Sequence, residues 1–472
     1  MADLLDAFAA AVLRHPQRLA LVDGAGHEVS FAALQSRADA FAGAWHRKGI
    51  RPGDKVLLAM SVGADLYAAL AALWSLGATA VLPEPAMGLA GLRHAARVTR
   101  PQAFCSSGAF GLLKWLLPEL WPIIHLWPAA KAAPAPILPR LSGSDIALIS
   151  FTSGTSGAPK AIPRSHDFLS AQHRAIAPLL HSDRTERDLV AFPVFVLINI
   201  ANGQTSVLPN WKMSRIDALR PEKLHGWMER QQVTRALIPP ALCERLARSG
   251  APPLLHTVFT GGGPVFPDLI ERLKTVAPSV GLTCVYGSTE AEPIAHLNTV
   301  DIDATDQAAM EQGHGLLVGR PVDDIRLRIK DDEIQVAGDH VNSGYLDPAH
   351  DRENKIHEGD TVWHRTGDAG HLDAKGRLWL LGRIGAEVQI AGQRVHPFSV
   401  EVAVRKWPGV RSCALIANGQ QVSLFIEGDT HEASLWGQQA AALGIERVIP
   451  IAKMPMDKRH ASKIDRAALM ES

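Results

Sequence analysis

Cysteine is scarce in this sequence of 472 residues, which has only Cys105, Cys243, Cys284 and Cys413. They lie far apart and form no Cys-x-x-Cys pair, which argues against a zinc site or a disulfide framework and suits a reducing compartment. The first residues include aspartates where a signal peptide has basic residues. We therefore expect a cytoplasmic protein that is not exported.

The sequence also lacks a net charge and a membrane-spanning run. Lys plus Arg and Asp plus Glu both number 48, so the formal net charge is zero and nothing indicates a nucleic-acid-binding surface. No stretch reaches the roughly 18 consecutive apolar residues that a membrane span needs. We expect a small molecule to be the main partner.

The most apolar segment, residues 111–128, is interrupted by prolines, by Lys114 and by Glu119. Its three tryptophans are compatible with contact with lipid or with a route for an apolar substrate. Short apolar runs usually belong to the core, so we favour a buried helix followed by a buried strand.

A chain of this length predicts two or more domains. Up to about Gly319, short β-rich runs alternate with helical patterns, such as the helix that Ser30 can cap. This alternation predicts parallel sheets flanked by helices. After Gly319, short strands separated by Gly, Asp and Asn predict a β-meander, and a small mixed unit follows, with a helix from Ser399.

The sharpest motif follows the apolar residues 147–151 and has the sequence Thr152-Ser-Gly-Thr-Ser-Gly-Ala-Pro-Lys160. Its glycines and hydroxyl residues let backbone N–H groups approach phosphate oxygens, and Lys160 adds positive charge. In a Walker A loop, Gly-Lys is followed by Ser or Thr and a helix, whereas here Pro163 interrupts any helix. We predict a phosphate-binding loop between two strands, with a flexible turn as the alternative.

Two further motifs are weaker on their own. In Val285-Tyr-Gly-Ser-Thr-Glu290, the tyrosine can stack on a nucleobase and the carboxylate can hold Mg²⁺ on phosphates. The same residues are also compatible with a helix N-terminus. The run Thr260-Gly-Gly-Gly-Pro264 offers bare backbone to a flat base, although by itself it is more often a turn.

Another motif, His364-Arg-Thr-Gly-Asp368, precedes Leu381-Gly-Arg383. Asp368 is placed to accept hydrogen bonds from both hydroxyls of a ribose, and Arg383 can pair with a phosphate. Residues 373–376 predict only a hairpin turn.

Taken together, these motifs resemble the adenylate-forming superfamily, which includes acyl-CoA synthetases, peptide-synthetase adenylation domains and luciferases. The resemblance covers nearly the whole chain, and the motifs occur in family order. It implies an α/β fold with a large N-terminal domain, residues 1–383, of parallel-rich sheets flanked by helices plus a β-rich subdomain. A small, mobile α+β lid domain, residues 384–472, would follow, with the active site between the two. ATP and Mg²⁺ are the implied cofactors.

The resemblance also implies roles for individual residues. The catalytic residues would be Lys463, Glu290 and Lys160, and Glu290 would hold the metal. The residues that bind the nucleotide would be Thr152, Ser153, Gly154, Thr155, Ser156, Gly157, Gly262, Gly263, Pro264, Tyr286, Gly287, Ser288, Thr289, Asp368 and Arg383.

Lys463 lies in a basic segment near the C-terminus, where a lysine is usually solvated. Formation of an acyl adenylate builds negative charge on the α-phosphate and on the attacking carboxylate. One mobile cation that reaches both groups stabilises that transition state, which favours a catalytic role for Lys463.

Residues 83–88, 191–197, 362–368 and 456–466 look most like the olefin β-lactone synthetases and related fatty-acid ligases. Those enzymes activate β-hydroxy fatty acids, whose own hydroxyl closes a lactone and expels AMP. The acyl-CoA ligases instead expel AMP with a thiol.

Four positions depart from the general family pattern. Val196 stands where many CoA ligases place a gating histidine or aromatic residue, and Gly385 stands at the expected hinge in place of Asp or Lys. Ser462 replaces a glycine before Lys463, and Gln389 lies where some relatives have a second lysine. These departures leave the adenylation step intact and bear on the step after it.

We predict an AMP-forming acid ligase that converts an apolar, fatty acid to acyl-AMP and releases pyrophosphate. The apolar residues 192–207 favour such an acid over an amino acid. The acyl group would then pass to CoA or another pantetheine thiol, including that of an acyl carrier protein. The alternatives are a β-lactone synthetase without a thiol acceptor and a non-catalytic binder of nucleotide or acyl adenylate. Lys463 argues against the binder.

Overall fold

The computed structural model of the chain describes residues 3–83, 87–128, 135–136, 142–152, 159–418, 421–456 and 464–470. Its helices are α1 (Leu4–Arg14), α2 (Phe31–Arg47), α3 (Ala64–Ser75), α4 (Gly88–Thr99), α5 (Leu113–Leu116), α6 (His166–Ile176), α7 (Pro193–Asn202), α8 (Pro221–Arg230), α9 (Pro240–Ser249), α10 (Pro267–Val276), α11 (Ala304–Glu311), α12 (Asp351–Asn354), α13 (Pro397–Val404), α14 (Ala433–Ala442) and α15 (Arg466–Met470). Its strands are β1 (Leu19–Val22), β2 (Glu28–Ser30), β3 (Lys55–Ala59), β4 (Thr79–Leu82), β5 (Ala103–Ser106), β6 (Ile124–Leu126), β7 (Ile146–Phe151), β8 (Ala161–Ser165), β9 (Arg187–Val190), β10 (Thr205–Val207), β11 (Arg235–Ile238), β12 (Thr257–Gly261), β13 (Gly281–Ser288), β14 (Ala291–Asn298), β15 (Leu316–Pro321), β16 (Arg326–Lys330), β17 (Glu333–Ala337), β18 (Lys355–Glu358), β19 (Thr361–Leu372), β20 (Leu378–Arg383), β21 (Val388–Ile390), β22 (Gln393–Val395), β23 (Val410–Asn418), β24 (Gln421–Gly428) and β25 (Arg447–Ile451).

The first sheet has six strands in the order β6-β5-β3-β4-β7-β8. All neighbours are parallel except β7 and β8, which pair antiparallel on either side of the motif that follows Phe151. The predicted strand–loop–strand unit is therefore confirmed at its two strands. Strands such as β5 are buried at every position, as expected where both faces of a parallel sheet are covered.

The second sheet is longer and changes character along its width. From β1 through β10, β9, β11 and β12 to β13, neighbouring strands are parallel. From β13 onward, through β14, β15, β20, β19, β17 and β16, every pair is antiparallel. Within this antiparallel part, β16, β17, β19 and β20 are the meander that the sequence predicts after Gly319, and the predicted α/β fold class is confirmed.

After β20 ends at Arg383, the remaining strands form two small sheets of their own, the hairpin β21-β22 and the sheet β23-β24-β25. Helix α13 packs between β23 and the larger unit, where it contacts β20 and α11. The division into domains at residues 383 and 384 stays a prediction. Among the described residues, no helix is long and apolar enough to cross a membrane.

Ion pairs join the C-terminal elements to α10. The guanidinium of Arg405 binds Asp268 with both of its arms, at 3.1 Å from Nε to Oδ1 and 2.7 Å from an Nη to Oδ2. The same guanidinium lies 4.8 Å from the centre of the Phe266 ring. Beside it, Lys406 Nζ is 2.5 Å from Glu271 Oε1. Charge–charge and cation–π contacts thus fix where this unit sits.

The apolar segment 111–128 differs from the prediction. It contains the one-turn helix α5, flanking 3₁₀ turns at Gly108–Leu112 and Pro118–Leu120, and the edge strand β6. Many of its large apolar side chains are exposed, including Trp115 at 75% and Trp121 at 61%. The predicted buried helix is therefore wrong, because α5 is too short and lies at a sheet edge, where it can pack on one side only.

A buried ion pair lies inside the parallel part of the second sheet. Arg235 on β11 is 3% exposed, and its Nε and an Nη bind the two carboxylate oxygens of the fully buried Asp188 on β9, both at 2.8 Å. Asn199 donates a further hydrogen bond to Asp188 at 3.0 Å, and Arg235 also donates to the carbonyl oxygen of Leu180 at 2.8 Å. Each charge thus has the partner that burial requires.

Replacing Arg235 with methionine leaves the Asp188 carboxylate buried without its cation. We expect the free energy of unfolding, measured by urea denaturation, to fall by about 3–5 kcal/mol. The control is Lys375→Met, which breaks a well-exposed pair with Asp303 and should lower the free energy of unfolding by less than about 1 kcal/mol. Equal losses in the two variants would contradict the structural role of Arg235.

Candidate active site

Glycines mark the point where the central parallel strands end. Strands β11, β12 and β13 are parallel, so their carboxyl ends meet at one edge of the sheet. Gly261 ends β12, and a Cβ there would lie 2.4 Å from the carbonyl oxygen of Val285. Gly262 has a φ of +74°, and a Cβ on it would meet the Phe192 ring at 3.3 Å. Only glycines fit here, and they leave the backbone bare, with Gly263 and Pro264 following.

Tyr286, Asp368 and Arg383 meet beside these glycines. The hydroxyl of Tyr286 donates to Asp368 Oδ2 at 2.7 Å, and an Nη of Arg383 donates to Asp368 Oδ1 at 2.7 Å. Asp368 and Arg383 face each other across β19 and β20, and the positive φ of Gly367 forms the bend before Asp368. Burial raises the pKa of Tyr286 well above its usual range, as does the Asp368 carboxylate, so the phenol stays protonated and donates.

A second cluster brings Lys160 and Glu290 to another tyrosine, Tyr345. Tyr345 donates from its hydroxyl to Glu290 Oε1 at 3.0 Å, and Lys160 Nζ lies 5.5 Å from the centre of the Tyr345 ring. Lys160 also donates to Asn354 Oδ1 at 3.2 Å. The backbone N–H of Thr152 donates to the carbonyl oxygen of Lys160 at 3.0 Å, which closes the base of the predicted phosphate loop.

The structure describes only some of the other predicted site residues. Thr289 accepts a hydrogen bond at its carbonyl oxygen from the buried Arg164 at 2.7 Å. The Ser288 hydroxyl is buried and has no hydrogen-bond partner among the described residues, and a Cβ on Gly287 would lie 2.9 Å from the carbonyl oxygen of Ala291. Ser153, Gly154, Thr155, Ser156, Gly157 and Lys463 lie outside the described residues.

The structure adds Lys355 and His364 to the cluster around Tyr345. Lys355 is buried, lies 5.2 Å from the centre of the Tyr345 ring, and donates to the carbonyl oxygen of Asn342. Its Nζ is 3.2 Å from His364 Nδ1. Burial lowers the pKa of Lys355 to about 8, and burial next to Lys355 lowers the pKa of His364 to about 3. His364 is therefore neutral at physiological pH.

Sequence reasoning missed these residues for different reasons. His364 begins the motif that contains Asp368, so its position was available as a signal. Arg164 lies on β8, directly after the predicted phosphate loop. Tyr345 and Lys355 carry no local pattern, because only the tertiary fold brings them to Glu290 and Lys160.

An apolar cavity of about 510 Å³, including its open mouth, adjoins the glycines at the strand ends. Its apolar walls come from α6 and the residues after it, from the start of α7, and from strand residues. The lining residues are Ile176, Leu179, Leu180, Phe192, Phe195, Leu237, Phe259, Thr260, Gly261, Gly262, Val285, Gly287, Glu292 and Pro293. Of the stretch predicted to form an apolar wall, residues 192–207, only Phe192 and Phe195 take part, and Val196 is buried elsewhere.

Among the described residues that line this cavity, Glu292 is the only ionisable one. No hydrogen bond or ion pair among the described residues involves its carboxylate. Burial raises the pKa of Glu292 to about 7, although the charge of Arg164 acts in the opposite direction. The cavity is thus an apolar space with one carboxyl group near the motif that contains Tyr286 and Glu290.

The proposed hinge residue, Gly385, lies two residues after Arg383. It has a φ of +80°, and a Cβ there would meet no atom within 4 Å. Its backbone conformation, rather than crowding, is what favours glycine at this position.

Comparison with known proteins places this arrangement in a family. The family model described as "AMP-binding enzyme" matches residues 8–346. The olefin β-lactone synthetase of Xanthomonas campestris is 30% identical, with 93% of this chain and 90% of the relative covered. That of Stenotrophomonas maltophilia is 29% identical, with 97% and 94% covered.

Solved structures show the same fold. An amide bond synthetase from Marinactinospora thermotolerans superposes with a TM-score of 0.81 at 22% identity, covering 98% of this chain and 99% of that one. The o-succinylbenzoate CoA synthetase of Bacillus subtilis, in complex with its acyl-adenylate intermediate, superposes with a TM-score of 0.80 at 20% identity, covering 100% and 98%. The chain therefore belongs to the AMP-binding enzyme family and is an adenylate-forming ligase.

Proposed function

We propose that this ligase joins an apolar, fatty-type acid to AMP and then closes a β-hydroxy acyl group to a β-lactone. The observation that carries the proposal is the cavity at the strand ends, whose walls are apolar and whose one ionisable lining residue in the described part of the chain is Glu292. Apolar walls favour an alkyl chain, because its burial contributes about 0.8 kcal/mol per CH₂ group.

The nucleotide would lie across the strand ends next to this cavity. The bare backbone at Gly262 and Gly263, with Pro264, and the ring of Tyr286 suit a flat adenine. Asp368 suits the ribose, because each of its oxygens accepts one hydrogen bond from the protein and retains a lone pair for a ribose hydroxyl. Lys160 and residues 152–157 would bind the phosphates of ATP.

Glu290 fits a magnesium site of the kind that substrate phosphates complete. One of its oxygens accepts from Tyr345, and no group of three or more possible metal ligands occurs among the described residues. Mg²⁺ usually binds through one or two carboxylates plus waters and substrate phosphates, so a single glutamate is sufficient. The ion would neutralise charge on the phosphates. A structural relative, the o-succinylbenzoate CoA synthetase of Bacillus subtilis, has been solved with ATP and magnesium.

In the first step, an oxygen of the substrate carboxylate attacks the α-phosphorus of ATP, and pyrophosphate leaves. We assign Lys463 as the mobile cation that stabilises the charge on both groups in this step. In the second step, the β-hydroxyl oxygen attacks the acyl carbon, its proton is released, and AMP leaves as the four-membered lactone closes.

Glu292 supports a substrate that carries a hydroxyl group. An acceptor in an apolar cavity is costly when it has no partner, so a substrate that donates a hydrogen bond to it is favoured over one that does not. The two β-lactone synthetase relatives support the same second step.

Transfer to the thiol of CoA or of an acyl carrier protein is the second candidate for the step after adenylation. It is supported by relatives such as the salicyl-AMP ligase / salicyl-S-ArCP synthetase of Mycobacterium tuberculosis, which is 29% identical over 86% of this chain.

Replacing Lys463 with alanine should lower carboxylate-dependent ATP–pyrophosphate exchange by about 10²–10³-fold, because the transition state loses its cation. ATP binding, measured by calorimetry, should stay nearly unchanged. Lys458→Ala, in the same basic segment, is the matched control and should keep normal exchange. Normal exchange in the Lys463 variant would refute its assignment.

Replacing Asp368 with asparagine should raise the KM for ATP about 10- to 100-fold, since hydrogen bonds to a charged acceptor are lost. The KM for the acid should change little. Asp360→Asn alters an exposed carboxylate on the same strand hairpin and should leave both constants unchanged. A variant of Asp368 with the normal KM for ATP would exclude it as the ribose ligand.

The product distinguishes the two candidates for the second step. With ATP, Mg²⁺ and a panel of β-hydroxy fatty acids, we expect mass spectrometry to detect the β-lactone without any thiol, in amounts that added CoA does not change. A thioester formed only with CoA would overturn the lactone proposal and leave the adenylation proposal intact.

Glu292→Leu tests whether Glu292 contacts the hydroxyl group of the substrate. We expect it to lower the preference for β-hydroxy acids over plain acids, compared as kcat/KM for adenylation, by about 10-fold or more. Glu292→Gln keeps an acceptor and should retain most of the preference. Glu222→Leu, on the surface of α8, is the control. An unchanged preference in Glu292→Leu would show that Glu292 does not contact the hydroxyl.

A further inference from the structure

The part of the first sheet's edge formed by residues 108–127 presents apolar side chains to solvent. We call this surface the tryptophan patch and define it by Leu112, Trp115, Leu116, Trp121 and Trp127. Leu112 and Leu116 are each 64% exposed, and Phe110 and Ile124 extend the same segment. Every tryptophan that is exposed in the described part of the chain lies in this patch. Scattered exposed apolar residues are normal, whereas a concentration of this kind marks an interaction site.

The fold orients the tryptophan patch through the one lysine of the segment, whose side chain points inward. Lys114 is only 9% exposed, and its Nζ donates to the carbonyl oxygens of Leu120, Trp121 and Ile123. These bonds bring the two ends of the segment together and hold the intervening apolar side chains on the outside. A segment that only needed to face water would place its charge outward and its leucines and tryptophans inward.

The rim of the patch is positively charged, although the whole chain is neutral. Besides the inward-pointing Lys114, residues 87–128 contain Arg93, Arg97 and Arg100 but only one acidic residue, Glu119. Both Arg93 and Arg97 bind the same Glu119 oxygen, at 3.2 Å and 2.7 Å, so one carboxylate serves two cations. The arginines on α4 therefore leave an excess of positive charge next to the tryptophans.

We propose that the tryptophan patch docks this enzyme onto the surface of an anionic lipid bilayer. Tryptophan prefers the boundary between the lipid headgroups and the acyl chains, where its ring is buried and its indole N–H stays near water. Leu112 and Leu116 reach the acyl chains from the same face. The arginines on α4 lie at the level of anionic headgroups, which attract them. A protein partner with an apolar, uncharged surface would use the tryptophans but would gain nothing from a rim of cations.

This docking is independent of the proposed reaction, which takes place at the strand ends of the second sheet. The proposed contact is peripheral and reversible, because it uses a few exposed side chains and surface charges. Both the apolar contact and the charge attraction contribute, so both removal of the apolar side chains and added salt should weaken binding.

The test is sedimentation of the full chain with vesicles of phosphatidylcholine that contain one third phosphatidylglycerol. We expect wild-type protein to sediment with these vesicles, to bind pure phosphatidylcholine vesicles less well, and to be partly released by salt. The triple variant Trp115→Ser, Leu116→Ser and Trp121→Ser should lose about 10-fold or more of its partition coefficient. Quenching of tryptophan fluorescence by brominated lipid should disappear in the same variant.

The matched control changes exposed apolar residues elsewhere, Leu13→Ser with Val300→Ser, which are 84% and 73% exposed. It should bind vesicles like the wild type. Both variants should keep wild-type ATP–pyrophosphate exchange with a short, water-soluble acid, which shows that they are folded. If the triple variant is unstable, Trp115→Ser alone gives the same test with a smaller expected loss.

Three outcomes would overturn the proposal. The first is wild-type protein that stays in the supernatant with anionic vesicles. The second is a triple variant that sediments like the wild type. The third is wild-type protein that forms dimers as its concentration rises while the triple variant stays monomeric, which would assign the patch to contact between copies of the chain.

Discussion

The carboxylate of Asp368 connects parts of the chain that lie far apart in sequence. Tyr286 reaches it from the end of β13, in the parallel half of the second sheet. Arg383 reaches it from the end of β20, in the antiparallel half. The contact of Arg383 needs only the pairing of β19 with β20, whereas the contact of Tyr286 needs the parallel and antiparallel halves to be formed together. The proposed nucleotide site, the cavity beside it and the start of the C-terminal elements at Gly385 are all positioned by this contact.

Sequence reasoning identified the fold class and the elements of this contact because their signals are local. A buried strand that ends in glycines, or in Thr-Gly-Asp, needs only a few adjacent residues to be recognised, and Tyr286, Asp368 and Arg383 all lie at such points. Glu292 and Tyr345 could not be found in this way. Their importance depends on which surfaces the fold brings together, and neither position differs in pattern from an ordinary polar or aromatic residue.

The error in the segment around Lys114 has a different origin. Hydropathy indicates that a side chain avoids water, and the usual inference is that the protein's own core covers it. At a sheet edge only one side of a short segment can pack on the core, so hydropathy alone does not tell which side chains are covered. The inward lysine was the feature that decided the orientation, and its three carbonyl partners are visible only in the folded chain.

The contacts of Arg405 with Asp268 and Phe266 have a consequence for how the enzyme responds to its surroundings. In the lid movement that we propose for the C-terminal elements, a rotation about Gly385 would separate this guanidinium from its carboxylate and its aromatic ring. Attraction between separated charges is screened over about 8 Å at physiological ionic strength. If the C-terminal elements move in this way, the balance between the docked and the rotated arrangement would depend on the ionic composition of the solution, and salt would act as an effector of that equilibrium.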